Sequence, residues 1–331
     1  MRAIVLDGRN GVELSTRPEP TPGPGQVVVA PAAVGICGTD LHLVDGSYAT
    51  GRYSVVPGHE FAGTVTAVGS GVTGLAEGDL VGVDPNVPCG ECRWCRVKAV
   101  NLCVRLEPVG VTRDGACADR VLVPARVTYR LPAGVDATAG ALVEPLACVL
   151  HALDRAPTVT DRDVLIYGAG SIGLLMAAML RQRGAGRIQI VEPHEVRRDA
   201  ALRLGADAAA AGSADLDLRD GAELVIEASG HPAAITDALD RIAVRGTLVQ
   251  MGVTAPDTTV PLHPFEVFEK EITVLGSNSL ADCYPAAAEQ MAGLTATLRP
   301  LVTHTFPLES YAEALAAAAS PEALKVHVMV Q

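Results

Sequence analysis

The stretch "VLIYGAGSIGLLMAAML", residues 164–180, narrows the possible folds of this chain more than any other. A short apolar run ends in a glycine-rich turn, and the turn opens into an apolar segment of helical length. Glycines at 168, 170 and 173 give the GxGxxG arrangement. Gly168 makes the tight turn in such a motif, Gly170 lets a pyrophosphate approach the backbone, and Gly173 lets helix and strand pack closely. Ser171 and Ile172 sit at the helix N-terminus, whose free N–H groups can meet phosphate oxygens. The stretch carries no charge and resembles a membrane span in length. Its glycines and close charged flanks predict a buried strand and a helix over 171–183 instead.

The alternation continues downstream. "RIQIVE" reads as a strand, 195–204 as a helix, and "LVIEASG" and "GTLVQMGV" as further strands, which is the pattern of a parallel, doubly wound sheet. Glu192 ends the second strand. A carboxylate there accepts hydrogen bonds from ribose hydroxyls and repels a 2′-phosphate, so NAD is favoured over NADP. Arg197 and Arg198 close by could accommodate that phosphate. Ser229, Gly252, Val253, Ser277 and Asn278 are further candidates for cofactor contact.

The first ~140 residues have a different character, with short strands ("QVVVAPAAVGICG", "FAGTVTAVGSGV", "DLVGVDP", "DRVLVPA") between Gly- and Pro-rich turns. "TAGALVEPLACVLHALDRA" reads as a helix interrupted at Pro145. The tail from Ala281 holds a helix, a loop and the strand "LKVHVMV", which can return to the first module and make one domain discontinuous. The expected division is 1–143 with 281–331, and 144–280. A length of 331 residues with 49% hydrophobic content suits two such domains.

Four of the eight cysteines, Cys89, Cys92, Cys95 and Cys103, fall within "PCGECRWCRVKAVNLC", in a lobe over 85–108. Such spacing suits a tetrahedral thiolate site, with zinc the natural occupant and an iron–sulfur cluster the alternative on spacing alone. Four thiolates leave no open position, so this site is structural. Cys117, Cys148 and Cys283 read as packing residues. Cys37 differs, because Thr39, Asp40 and His42 surround it in "GICGTDLHLVDG". His59 and Glu60 follow in "PGHEFAG", and Glu144 in "LVEPLAC". A Cys, a His and one or two carboxylates can hold zinc while leaving a position for water or substrate.

The net charge of −12 is spread along the chain, with no basic stripe interleaved with aromatics, so nucleic-acid binding is not expected. The short apolar run in "MRAIVLDGRN" is no signal peptide. A cytoplasmic protein with no membrane association is expected, and reduced thiols there serve as metal ligands.

Taken together, "GICGTDLH", "PGHEFAGTV", the cysteine lobe, "VEPLAC" and "GAGSIG" resemble the zinc-containing medium-chain dehydrogenase/reductase family over nearly the whole chain. The resemblance is closest to its sorbitol (polyol) dehydrogenase branch, because Glu144 stands where other members carry a cysteine. It implies an α/β fold: a GroES-like, mostly β catalytic domain and a Rossmann domain, with the active site in the cleft between them. It places a catalytic zinc on Cys37 and His59 with Glu60 as third ligand, and Glu144 either holding the zinc-bound water or binding directly. Asp40 would orient the His59 imidazole, and Thr39 and His42 match the family's proton relay. Two zinc ions per chain and a homodimer or homotetramer are implied, with residues 250–278 containing the pairing edge.

The implied activity is hydride transfer from a secondary alcohol, such as a polyol or cyclitol, to NAD. The alternatives are an NADP-dependent ketone or aldehyde reductase, and a non-enzymatic, zinc-stabilised nucleotide binder. The "GSYATGRYS" loop, with Ser47, Tyr48, Arg52 and Tyr53, suits a hydroxylated substrate. Arg113 and Arg120 could contact a charged or hydroxylated substrate or be ordinary loop arginines.

Overall fold

The computed structural model describes residues 1–47, 53–218 and 220–330, so Tyr48 and Arg52 lie outside the described residues. Among the described residues fifteen strands follow in chain order: β1 (Arg2–Leu6), β2 (Val12–Thr16), β3 (Gln26–Ile36), β4 (Glu60–Val68), β5 (Leu80–Val83), β6 (Val121–Pro124), β7 (Thr128–Arg130), β8 (Val164–Tyr167), β9 (Ile188–Val191), β10 (Ala208–Ala210), β11 (Ala222–Glu227), β12 (Ile242–Gln250), β13 (Thr273–Gly276), β14 (Val302–Pro307) and β15 (Lys325–Met329). The chain divides into two compact units, Met1–Ala147 with Leu280–Gln331, and Cys148–Ser279.

The first unit is built on a seven-stranded sheet ordered β14-β15-β3-β4-β5-β7, with β6 also pairing β3, beside the β1–β2 hairpin. β3 is eleven residues long and almost wholly buried, as a run of Val and Ala with no charge should be. Its register with β4 shifts around Pro31, a residue that cannot donate to the ladder. Gly35 lies opposite Glu60 across β3–β4 and opposite His327 across β3–β15. This register brings Cys37, His59 and Lys325 to neighbouring strand ends, although they are far apart in sequence.

The second unit is a six-stranded, all-parallel sheet ordered β10-β9-β8-β11-β12-β13. The order reverses between β8 and β11, which is where doubly wound sheets open a ligand crevice. The apolar stretch that resembled a membrane span is β8, buried throughout, followed by the helix Ser171–Gln182, buried along most of its length. Among the described residues one helical segment, Ala137–Arg155, passes a length-and-hydropathy test for a membrane span, and 72% of its apolar window is buried inside the fold, as in a core helix.

Pro145 does not interrupt the chain's helix as expected. It stands in the first turn of the helix Val143–Arg155, where a missing N–H removes no intrahelical bond. The break falls earlier, between that helix and the short turn Ala137–Gly140, capped by the Asp136 carboxylate on the N–H of Ala139.

Candidate active site and metal centres

Cys37 ends β3 and is the N-cap of the helix Gly38–Asp45. Its sulfur accepts the N–H of Thr39 at 3.3 Å, and Asp40 Oδ2 accepts the N–H of Cys37 at 3.0 Å, completing a capping box. His59 precedes β4 in a turn that only glycine allows: Gly58 has φ +98°, and a Cβ there would meet Val34 and Cys117 within 3 Å. The two segments place Cys37 Sγ 3.0 Å from His59 Nε2. On the other side of the ring, His59 Nδ1 faces Asp40 Oδ1 at 3.7 Å, and neither atom has a hydrogen-bond partner. Burial disfavours a charged His59, but the Cys37 thiol and then the Asp40 and Glu144 carboxylates outweigh it and hold its pKa well above the ordinary value.

This donor set suits a metal ion. A half-buried thiol and a buried imidazole nitrogen aim at one point, and a zinc ion bonded to both at ordinary lengths would hold them about 3.6 Å apart, about 0.6 Å beyond the spacing here. Asp40 already serves the cap and lies on the far face of the ring, which is where an orienting carboxylate belongs. Glu144, buried in the first turn of its helix, is close enough to act electrostatically on His59.

Glu60 is not brought into this group. Its carboxylate closes instead on Lys325 Nζ, and both side chains are buried. Gly35 makes room for the pair, because a Cβ there would collide with Glu60 Oε2 and approach the end of Lys325. Lys325 was invisible to motif reading, and so was Asp84, a buried carboxyl pushed up to about 7 by desolvation and by the nearby Glu144 and Asp282 charges.

Thr39 and His42 lie one turn apart on the helix Gly38–Asp45. His42 Nδ1 is 3.0 Å from Ser47 Oγ, and Asp45 accepts the Ser47 N–H at 2.8 Å.

In the cysteine lobe, the ligand sulfurs of Cys89, Cys92, Cys95 and Cys103 all lie within 4.8 Å of one another. The Cys92–Cys95 and Cys89–Cys95 separations are 3.5 and 3.9 Å. A disulfide needs about 2.05 Å, whereas four thiolates around zinc sit about 3.8 Å apart. The N–H of Cys89 donates to Cys103 at 3.2 Å, and that of Arg105 to the same sulfur at 3.4 Å. The N–H of Glu91 and then Arg105 pull the Cys89 thiol down to about 5.

In the second unit, Gly168 has φ +95° and packs on Ser229, and a Cβ on Gly173 would lie 1.9 Å from the Gly168 carbonyl oxygen. A Cβ on Gly170 would meet nothing within 4 Å. The backbone at the start of the helix Ser171–Gln182 is thus open, as a pyrophosphate requires. Glu192 is buried and tied to this loop: Oε2 accepts the Ala169 N–H at 2.9 Å and Oε1 the His194 N–H at 3.0 Å. Arg198 folds back onto the carbonyls of Glu192 and Pro193.

Sequence reading also missed Glu227, which is fully buried at the end of β11. It accepts the N–H groups of Ser229 (2.8 Å) and Gly230 (3.0 Å), the Ser229 hydroxyl and the Gln250 side-chain amide (2.7 Å). It so fastens the loops that carry Ser229, Gly252 and Val253, three of the cofactor candidates. A Cβ on Gly252 would strike its carboxylate. The signal was a lone acid closing an apolar strand.

A GroES-like unit with a Cys–His metal set and a doubly wound unit with a dinucleotide loop define an alcohol oxidoreductase. Residues 23–133 match the alcohol dehydrogenase GroES-like domain, and residues 137–330 match the glucose dehydrogenase C-terminus. The chain is 35% identical to D-altritol 5-dehydrogenase of Agrobacterium fabrum, with 93% of each chain covered. It is 32% identical to sorbitol dehydrogenase of Halalkalibacterium halodurans, with 98% of each covered. A solved structure described as a zinc-binding dehydrogenase of Sinorhizobium meliloti bound to NADP matches with a TM-score of 0.95 at 32% identity, covering 99% of both chains. The chain belongs to the zinc-containing medium-chain dehydrogenase/reductase family, in its polyol dehydrogenase-like branch.

Proposed function

We propose that this zinc-type secondary-alcohol oxidoreductase oxidises a polyol or cyclitol with NAD. The observation that carries the catalytic assignment is the convergence of Cys37 Sγ and His59 Nε2, with Asp40 behind the ring. Cys37, His59 and Glu144 would hold the catalytic zinc, and Cys89, Cys92, Cys95 and Cys103 a structural one. When bound, the catalytic ion supplies Lewis acidity to the substrate oxygen, and NAD supplies the hydride acceptor.

The chain's own residues do the rest. Asp40, 3.7 Å behind the ring, favours a proton on Nδ1 electrostatically and leaves Nε2 to the metal position. Thr39 and His42 hold and pass the proton that the hydroxyl loses, with Ser47 keeping the His42 ring in place. Glu227 and Glu192 keep the nucleotide loops in shape.

Glu192 supports NAD, because its buried carboxylate stands beside the glycine loop and would repel a 2′-phosphate. NADP is the second reading, favoured by Arg197 and Arg198 next to Glu192 and by the NADP held in the Sinorhizobium meliloti protein. A homodimer or homotetramer through the edge strand β13 fits the exposed Leu262, Phe265, Phe268 and Val274 beside it. A site of four clustered cysteines suits a reducing cytoplasm.

Zinc content per chain, with NAD and NADP reduction over a panel of sugar alcohols and cyclitols, tests the reading. Two zincs and NADH from a vicinal secondary alcohol are expected. One zinc without turnover removes the assignment of Cys37, His59 and Glu144. Preferential NADPH formation establishes the second reading.

A further inference from the structure

The first unit contains a cavity of about 430 Å³ whose lining includes Arg17, Arg113, Arg120, Asp114 and Gln26. None of these residues belongs to the Cys37–His59 set or to the cysteine lobe. The lining carries three guanidinium groups against one carboxylate, a formal excess of two positive charges in a chain whose net charge is −12.

The local carboxylates offset only part of this excess. Asp119, next to Arg120, is taken by Arg2, which donates to it from its backbone N and from Nε and Nη2. Arg120 itself donates to the Asp119 carbonyl oxygen at 2.6 Å. Asp114 Oδ1 accepts the N–H of Val56. Arg113 reaches Glu107 at 3.1 Å. Among the described residues Arg17 and Arg120 make no ion pair. Holding like charges around one concavity costs energy unless something anionic offsets it.

We propose that this cavity is a binding site for a phosphate-bearing small molecule. The guanidinium fork matches phosphate oxygens two at a time, and the two guanidinium groups without a carboxylate partner, Arg17 and Arg120, are each free to take a pair of them. The volume lies within the range of small-molecule pockets, about 300–1,000 Å³. Gln26, whose Oε1 accepts the Gly23 N–H at 2.9 Å, adds an amide N–H₂ that can donate to an oxygen. The site is independent of the hydride-transfer reading and would serve for regulation or for holding a phosphorylated ligand.

The test titrates inorganic phosphate into the zinc-loaded protein saturated with NAD, so that the glycine-rich loop at Gly168–Gly173 is already filled, and follows ³¹P line width and shift. One saturable site per chain is expected. Arg17→Gln and Arg120→Gln should each weaken it about 10-fold or more and together abolish it, while circular dichroism stays unchanged. Arg120→Lys, which keeps the charge and loses the fork, should fall between. Absence of saturable binding to the wild type overturns the proposal, as does binding that survives the double substitution. Binding that appears only without NAD also overturns it, by assigning the phosphate to the dinucleotide loop. Failure of NAD itself to bind is a separate result and bears on the cofactor reading alone.

Discussion

Glu60 and Lys325 form a buried ion pair across β3, joining the start of β4 to the start of β15. The pair ties the two separated segments of the first unit together beside Cys37 and His59. Removing one member leaves an uncompensated charge in the interior, which costs about 3–5 kcal/mol. Lys325→Met should therefore lower the unfolding free energy by that amount. The double variant Glu60→Gln/Lys325→Met should regain much of it, because no charge is then stranded. Urea denaturation of the four proteins in the cycle checks this, and additive losses would mean that the pair is not coupled.

How much of the fold and site was legible in the sequence depended on distance along the chain. The Gly168–Gly173 turn and the cysteine lobe are local devices, and their spacing carries their geometry. The parallel sheet followed from the alternation of short apolar runs and helical segments. The meeting of Cys37 with His59 depends instead on the β3–β4 register, which no single motif encodes, so it could be anticipated only from the combination of motifs. Lys325 sits in "LKVHVMV", where a lysine at a strand start reads as solvated. Its burial is intelligible only once β15 lies against β3 and Gly35 leaves room. The family resemblance implied Glu60 as a metal ligand, whereas here its carboxylate closes on Lys325, a partner far along the chain that no motif announces.

His327, two residues along the same strand, is buried with neither ring nitrogen hydrogen-bonded. Burial first, and then the Lys325 charge, push its pKa down to about 3. Unfolded, it titrates near 6.5. Between these values the unfolded chain holds a proton that the folded chain lacks, so stability is complete above about pH 6.5 and is lost as the pH falls toward 3. The slope from this one group is at most about 1.4 kcal/mol per pH unit. His327→Leu should flatten the acid limb of the stability curve by that one proton. Unfolding free energies of both proteins between pH 4 and 7 give the difference, and parallel curves would show that His327 does not drive it.

Glu192 holds the glycine loop through Ala169 and leaves each oxygen with a further lone pair for a ribose hydroxyl. Glu192→Ser should lose NAD affinity and relieve repulsion toward a 2′-phosphate. The ratio of kcat/KM for NAD over NADP should fall by about 10-fold or more, equivalent to about 1.4 kcal/mol. An unchanged ratio would remove Glu192 from cofactor selection.

Glu227 works one step behind the cofactor, through the loops it fastens. Its acceptor oxygens meet four donors, and an N–H₂ group in place of either oxygen would face at least one N–H from which it cannot accept. Glu227→Gln keeps the volume but turns at least one of these contacts into donor against donor. Hydrogen bonds to a charged group contribute about 1.5–3 kcal/mol each, so the loops around Ser229 and Gly252 should loosen while the sheet survives. The expected outcome is NADH binding weakened roughly 10- to 100-fold with little change in far-ultraviolet circular dichroism and full retention of zinc. Cofactor affinity equal to the wild type would show that the loops hold their shape without the carboxylate, and that Glu227 serves only the stability of the second unit.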